Sequence, residues 1–159
     1  MRKILAIIIF LSLSLFADKV EKIELKTLNN DTIKITNYEG NFLFEDAKYH
    51  KKNILFFFFG TKCPYCIKEI PEINKLELEQ NGLKVIGIHA QYEISDKDLK
   101  PFIKEKEILF EVLSNSSVLK IVNHLKKRKM WIGGVPYYIF IDKHGNLEPM
   151  DIKEVLEKF

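Results

Sequence analysis

The chain alternates short, strongly apolar runs with stretches whose apolar residues return at helical spacing. The most apolar run is Ile54-Leu55-Phe56-Phe57-Phe58-Phe59, which reads as a strand over 53–59 buried on both faces. Behind it, Ile67, Ile70, Ile73 and Leu76 mark one face of a helix from 67 to about 80, with Pro71 inside it and Asn81-Gly82 at its close. Val85, Ile86 and Ile88 make 83–89 the next buried strand. Ser95, with Asp98 three places on, caps a second helix running to about 107. Residues 108–113 form a short extended piece, and Ser116 or Ser117 starts a third helix through Val118, Leu119, Ile121, Val122 and Leu125. Further on, 137–141 is another apolar strand, Lys143-His144-Gly145-Asn146 a hairpin turn and 147–150 the partner strand. Asp151 caps a last helix ending at Phe159.

Ahead of the long apolar run the period is two rather than three to four. Ile23 and Leu25, then Ile33 and Ile35 beyond the turn Asn29-Asn30-Asp31, give a β-hairpin, and 42–44 reads as one more short strand. This order predicts an α/β domain: a mixed sheet flanked by helices on both faces, with an added N-terminal β-hairpin.

Composition and charge narrow the picture at the N-terminus. Residues 1–17 read as a secretory signal: Arg2 and Lys3, an apolar run from Ile4 to Leu11, and Ala17 before a cut at Asp18. An uncleaved anchor is the alternative, although the run is short for a span of ~20 residues. The segment contains no cysteine for lipid attachment. Either way the remaining 18–159, a single domain, is exported and expected in the periplasm. The formal charge of +3 includes Arg2 and Lys3, so the remainder is nearly neutral and affinity for nucleic acid is not expected. The basic run Lys126-Lys127-Arg128-Lys129 reads as a solvated helix end.

The chain has two cysteines, Cys63 and Cys66, in the run Cys63-Pro64-Tyr65-Cys66. Two residues apart, they close too small a loop to restrain an unfolded chain much, and a structural zinc site needs two more ligands. His50, His89, His124 and His144 are scattered, none at ligand spacing to another, and are expected at the surface or in turns. The cysteine pair sits where a buried strand turns into a helix. Backbone N–H groups and the helix dipole at that terminus favour an anion, so Cys63 is expected to be a thiolate nucleophile with a pKa below the free-thiol value of ~8.5. Lys62 beside it adds a favourable charge.

With these motifs in place the sequence resembles the thioredoxin superfamily, and within it the exported TlpA-like and ResA-like thiol–disulfide oxidoreductases. The resemblance rests on the run from Phe59 through Gly60-Thr61-Lys62-Cys63-Pro64-Tyr65-Cys66 to Lys68-Glu69 and Pro71, on Gly134-Val135-Pro136 before a strand, and on Ile141-Asp142-Lys143-His144-Gly145. It implies a redox-active Cys63–Cys66 disulfide with no other cofactor, and a cis bond at Val135-Pro136 with the proline against the cysteine pair. Val135 and Pro136, with Pro64 and Tyr65, are then the substrate-facing positions. Two departures stand out. Lys62 occupies the place of the family's usual tryptophan, and Phe57 that of thioredoxin's buried aspartate. ResA-like members use a glutamate in the helix instead, and Glu69 matches it, one turn beyond Cys66 on the same face. Glu69 is therefore expected to be partly withdrawn from water and to take the Cys66 proton. Trp131 is either core or substrate rim.

Three functions compete: a reductase of exported protein disulfides, for instance in cytochrome c maturation; a disulfide-forming oxidant or isomerase; and a non-catalytic metal or haem chaperone of the same fold. Copper chaperones of this fold resemble a C-x-x-x-C pattern, one residue longer than the spacing here. A reductase implies substrate protein thiols and disulfides and a membrane-bound redox partner, and the domain is expected to act as a monomer.

Overall fold

The computed structural model describes residues 20–159; the expected signal at 1–17 lies outside the described residues. Two sheets organise the chain. The first is antiparallel, in the order β1 (Val20–Lys26), β2 (Thr32–Tyr38) and β3 (Asn41–Phe44). The second has five strands in the order β6-β5-β4-β7-β8, from β4 (Asn53–Phe59), β5 (Leu83–His89), β6 (Glu111–Val112), β7 (Tyr137–Ile141) and β8 (Leu147–Met150). β4 pairs parallel with β5 and antiparallel with β7, so the sheet is mixed as expected. The helices are α1 (Pro64–Glu79), α2 (Asp96–Glu105), α3 (Asn115–Lys127) and α4 (Ile152–Lys158).

β4 divides the core in two. Its side chains alternate across the sheet. Ile54, Phe56 and Phe58 join a cluster formed with the three-stranded sheet and the Val118, Ile121, Val122 and Leu125 face of α3. Leu55, Phe57 and Phe59 join a second cluster with Ile70 and Ile73 of α1, Leu99 of α2, Val155 of α4 and both cysteines. All six of these β4 side chains are fully buried. At ~1.5–3 kcal/mol for each large apolar side chain removed from water, this strand stabilises both cores at once.

The added N-terminal unit is larger than a hairpin, because residues 41–44 pair with β2 and complete a third strand. Hydrogen bonds stitch it to the rest of the fold. The Ser114 N–H donates to the Lys26 carbonyl (2.8 Å), the Lys26 N–H to Ser117 Oγ (2.6 Å), and the Phe42 N–H to the Gly145 carbonyl (2.8 Å). That stitching corrects the start of α3. Ser117 is buried and engaged by β1, and Ser114 is the N-cap residue, without a side-chain cap bond. α1 ends at Glu79 and α2 at Glu105, slightly short of the expected ends, whereas α4 has the expected Asp151 cap, completed by Glu154 as a capping box.

Gly145 carries φ +87°, and a Cβ there would lie 2.9 Å from the Phe42 carbonyl oxygen. Gly145→Ala is therefore expected to lower stability by ~1–3 kcal/mol. The measurement is a urea denaturation midpoint shifted down at unchanged slope. Gly82→Ala, whose Cβ would meet nothing within 4 Å, serves as the near-neutral control.

Candidate active site

The long buried strand ends in Gly60-Thr61-Lys62 and places Cys63 at the N-cap of α1. Pro64 opens the helix, where a missing N–H costs nothing. Cys63 Sγ accepts the Cys66 N–H at 3.1 Å, so the sulfur sits at the positive end of the helix with a backbone donor aimed at it. The two cysteines form a disulfide. Cys63 retains a trace of exposure at 5%, and Cys66 has none. An attacking thiol must reach Cys63 first. Tyr65 is 73% exposed and stands on the rim beside exposed Pro64.

The Val135-Pro136 bond is cis, as the resemblance implies, and both residues are half-buried. Val135 packs against the cluster that contains Cys63 and Cys66. Gly133 and Gly134 carry φ of +98° and +103°, a conformation that a side chain would strain, and this brings the chain into position for the proline.

Glu69 is half-buried, and Tyr138 explains how its carboxylate is held. The Tyr138 hydroxyl donates to Glu69 Oε2 at 2.6 Å. The tyrosine ring is buried and stacks on Phe57, with centroids 5.1 Å apart and planes within 5°. Burial, then the hydrogen bond to Glu69 and its charge, push the Tyr138 hydroxyl far above the ordinary tyrosine range, so it stays a donor. The strand carries an apolar ring where thioredoxin has an acid, and a tyrosine opposite that ring reaches across to the helix carboxylate. Sequence reading missed Tyr138. The available signal was a hydroxyl inside an apolar strand, which needs a partner once buried.

A second missed residue is His89, expected at the surface and in fact 3% exposed. Its position at the end of β5 next to Phe59 buries it, and its Nε2 accepts the Thr61 N–H at 3.3 Å. The ring proton therefore resides on Nδ1, which has no hydrogen-bond partner among the described residues. Burial lowers the His89 pKa, against a smaller upward pull from backbone groups of Tyr92 and His89 itself. The Lys62 N–H donates to Gln91 Oε1 at 2.9 Å, and Thr61 Oγ1 meets the Tyr92 hydroxyl at 2.5 Å. A Cβ on residue 60 would collide with Gln91, which is why glycine stands there. The segment after β5 thus grips the three residues ahead of Cys63. Lys62 is exposed, with its ammonium 5.1 Å from the Tyr92 ring centroid. Of the remaining histidines, His50 and His144 are exposed, whereas His124 is partly buried beside Asn37 and Glu21.

Comparison with known proteins agrees with this geometry. A curated relative, the thiol-disulfide oxidoreductase ResA of Bacillus cereus, is 29% identical over 136 residues, covering 83% of this chain and 71% of its own. Among solved structures, the thioredoxin domain of a thiol-disulfide oxidoreductase from Bacteroides vulgatus superposes with a TM-score of 0.63 at 18% identity, covering 87% of this chain and 93% of its own. StoA from Bacillus subtilis gives 0.59 at 16%, covering 86% and 95%. Residues 16–150 match the AhpC/TSA family. The chain belongs to that family of the thioredoxin superfamily, and its Cys63–Cys66 pair is that of a thiol–disulfide oxidoreductase.

Proposed function

We propose that this protein is an exported reductase of protein disulfides. The observation that carries the reading is Cys63 Sγ at the N-terminus of α1, accepting the Cys66 N–H, at the outer end of a pair whose second member is sealed. In the reduced protein Cys63 attacks a substrate disulfide as thiolate, forming a mixed disulfide and releasing one substrate thiolate. Cys66 then loses its proton and attacks Cys63 Sγ. The second substrate thiolate leaves, and the Cys63–Cys66 disulfide is restored. Two electrons have passed from the cysteine pair to the substrate. The same steps reversed describe an oxidant.

Glu69 takes the Cys66 proton in the resolving step, with Tyr138 holding its carboxylate in place. The i, i+3 spacing in α1 and the 2.6 Å hydrogen bond support these roles. Val135 and Pro136, together with Pro64 and Tyr65, form the face presented to substrate, and proline leaves the backbone there without an inward donor. Export rests on the composition of residues 1–17 and places the domain in the periplasm. The ResA-like resemblance makes apocytochrome c the candidate substrate and a membrane-bound protein the electron donor, with the domain acting as a monomer.

The direction of electron flow is read from the reduction potential of the Cys63–Cys66 pair. A value near ~−270 mV is expected, and one near ~−120 mV would make the protein an oxidant. Alkylation of the reduced protein across a pH series should label Cys63 first, with a midpoint below the free-thiol value of ~8.5. Preferential labelling of Cys66 would reverse the assignment. Glu69→Gln should slow decay of a trapped mixed disulfide while leaving the first attack nearly unchanged. General-base assistance is worth ~10²–10⁴ in rate, and a thiol's own acidity puts this case at the low end. Tyr138→Phe should slow the same step by less, since the carboxylate remains and only its anchor is lost. Wild-type decay in Glu69→Gln would assign the proton to water.

A further inference from the structure

Between α3, Trp131 and the segment after β5 lies a groove of about 200 Å³ that the mechanism does not use. Val118, Leu119 and Val122 of α3 form one side, Trp131 another, and His89 and Tyr92 the remainder. Its two walls are fastened to the two loops that frame the reacting disulfide. The Tyr92 hydroxyl meets Thr61 Oγ1 at 2.5 Å, two residues before Cys63. Trp131 Nε1–H donates to the Gly134 carbonyl at 3.1 Å, immediately before Val135-Pro136. Trp131 is thus core and rim at once: it stacks on Phe58 at 5.2 Å and also lines the groove.

The rim is apolar and cationic. Leu119 is 63% exposed, and Ile132, next to Trp131, is 86% exposed. Two ammonium groups lie over the aromatic walls, Lys62 at 5.1 Å from the Tyr92 centroid and Lys126 at 5.2 Å from the Trp131 centroid. Glu93 is the one carboxylate among the lining residues. The basic run 126–129 is therefore more than a solvated helix end. Arg128 turns to the Gly40 carbonyl and the Phe42 ring, whereas Lys126 faces the groove.

We propose that this groove is a specificity subsite: it takes one bulky apolar side chain of the substrate polypeptide near its reacting cysteine, and Lys62 and Lys126 favour acidic residues beside that side chain. The inference rests on the oxidoreductase reading and names the substrate class. A dry cavity of ~150 Å³ holds a benzene ring, so the groove suits a side chain the size of phenylalanine or leucine. The two fastenings tie the groove walls to Thr61, two residues before Cys63, and to Gly134, one residue before Val135, so the groove adjoins both loops that a bound substrate chain would meet. Exposed cations set against acidic partners act mainly on encounter and selection, and are screened by salt.

The test uses the full chain, reduced with dithiothreitol and freed of it, and three model peptides closed by an internal disulfide. They differ only in the pair of residues ahead of the first cysteine: Glu-Phe, Lys-Phe or Glu-Ser. Release of peptide thiols is followed under second-order conditions. The Glu-Phe peptide should react about tenfold faster than Glu-Ser, and about three- to tenfold faster than Lys-Phe at low salt, the latter ratio collapsing near ~1 M salt. Lys126→Glu should invert the Glu-Phe to Lys-Phe ratio, and Leu119→Ser should shrink the Glu-Phe to Glu-Ser ratio. Ratios within each variant cancel any change at the cysteines. Equal rates for all three peptides, or ratios unchanged in both variants, would overturn the subsite and leave the oxidoreductase reading standing. Failure of the reduced wild type to reduce even 2-hydroxyethyl disulfide overturns both. A concentration-dependent dimer that Leu119→Ser dissociates would assign the groove to a second copy of the chain and overturn the proposal.

Discussion

The fold and the site both depend on the complete burial of one strand. β4 is the middle strand of its sheet, and its side chains are shared alternately between two cores. A strand buried on both faces must have every backbone group paired, and β5 and β7 supply those partners. Its exit point is therefore held firmly. The turn into α1 begins at Gly60, and the first residue able to present a side chain at the helix terminus is Cys63. The position of Cys63 follows from the packing of six apolar residues behind it.

That burial also constrains how a proton can leave the deeper sulfur. Cys66 is sealed from water, and the strand beneath it offers phenyl rings instead of an acid. A carboxylate on the strand would need a buried partner or would neutralise itself. A carboxylate on the helix stays half in solvent, and a single hydroxyl from the neighbouring strand suffices to fix it. Tyr138 can do so because it is register-paired with Phe57, and ring stacking sets the direction of its hydroxyl. Phe57 and the Glu69–Tyr138 pair are in this sense one arrangement.

The site is also held from the side. His89 at the end of β5, with Gln91 and Tyr92 just beyond it, engages Thr61 and Lys62 through both backbone and side chain. Parallel pairing of β4 with β5 makes this possible, because the two strands end at the same edge, with Phe59 opposite His89. The same edge receives the loop carrying Trp131 and Gly134. The cysteine end of the sheet is thus a place where three loops meet, and the groove between α3, Trp131 and Tyr92 adjoins two of them.

Local chemistry made much of this legible in the sequence. Apolar runs and their periods determined the strands, the helices, their order and the α/β class, because burial on one or two faces leaves a direct imprint on residue pattern. The C-x-x-C spacing at a strand-to-helix junction put Cys63 at the helix N-terminus, where the structure finds it as the N-cap, since the electrostatics of a helix terminus are local. The joining of residues 41–44 to the N-terminal hairpin, the start of α3 and the burial of His89 were decided only by tertiary contacts. Residues 41–44 extend the hairpin into a three-stranded sheet because β2 presents an edge, and Ser117 becomes interior because β1 lies on it. His89 becomes a hydrogen-bond acceptor because parallel pairing brings it to Thr61. The Glu69–Tyr138 bond joins residues 69 positions apart. No pattern along one segment encodes such a pair, because it exists only once β7 has paired with β4 and laid Tyr138 against the helix.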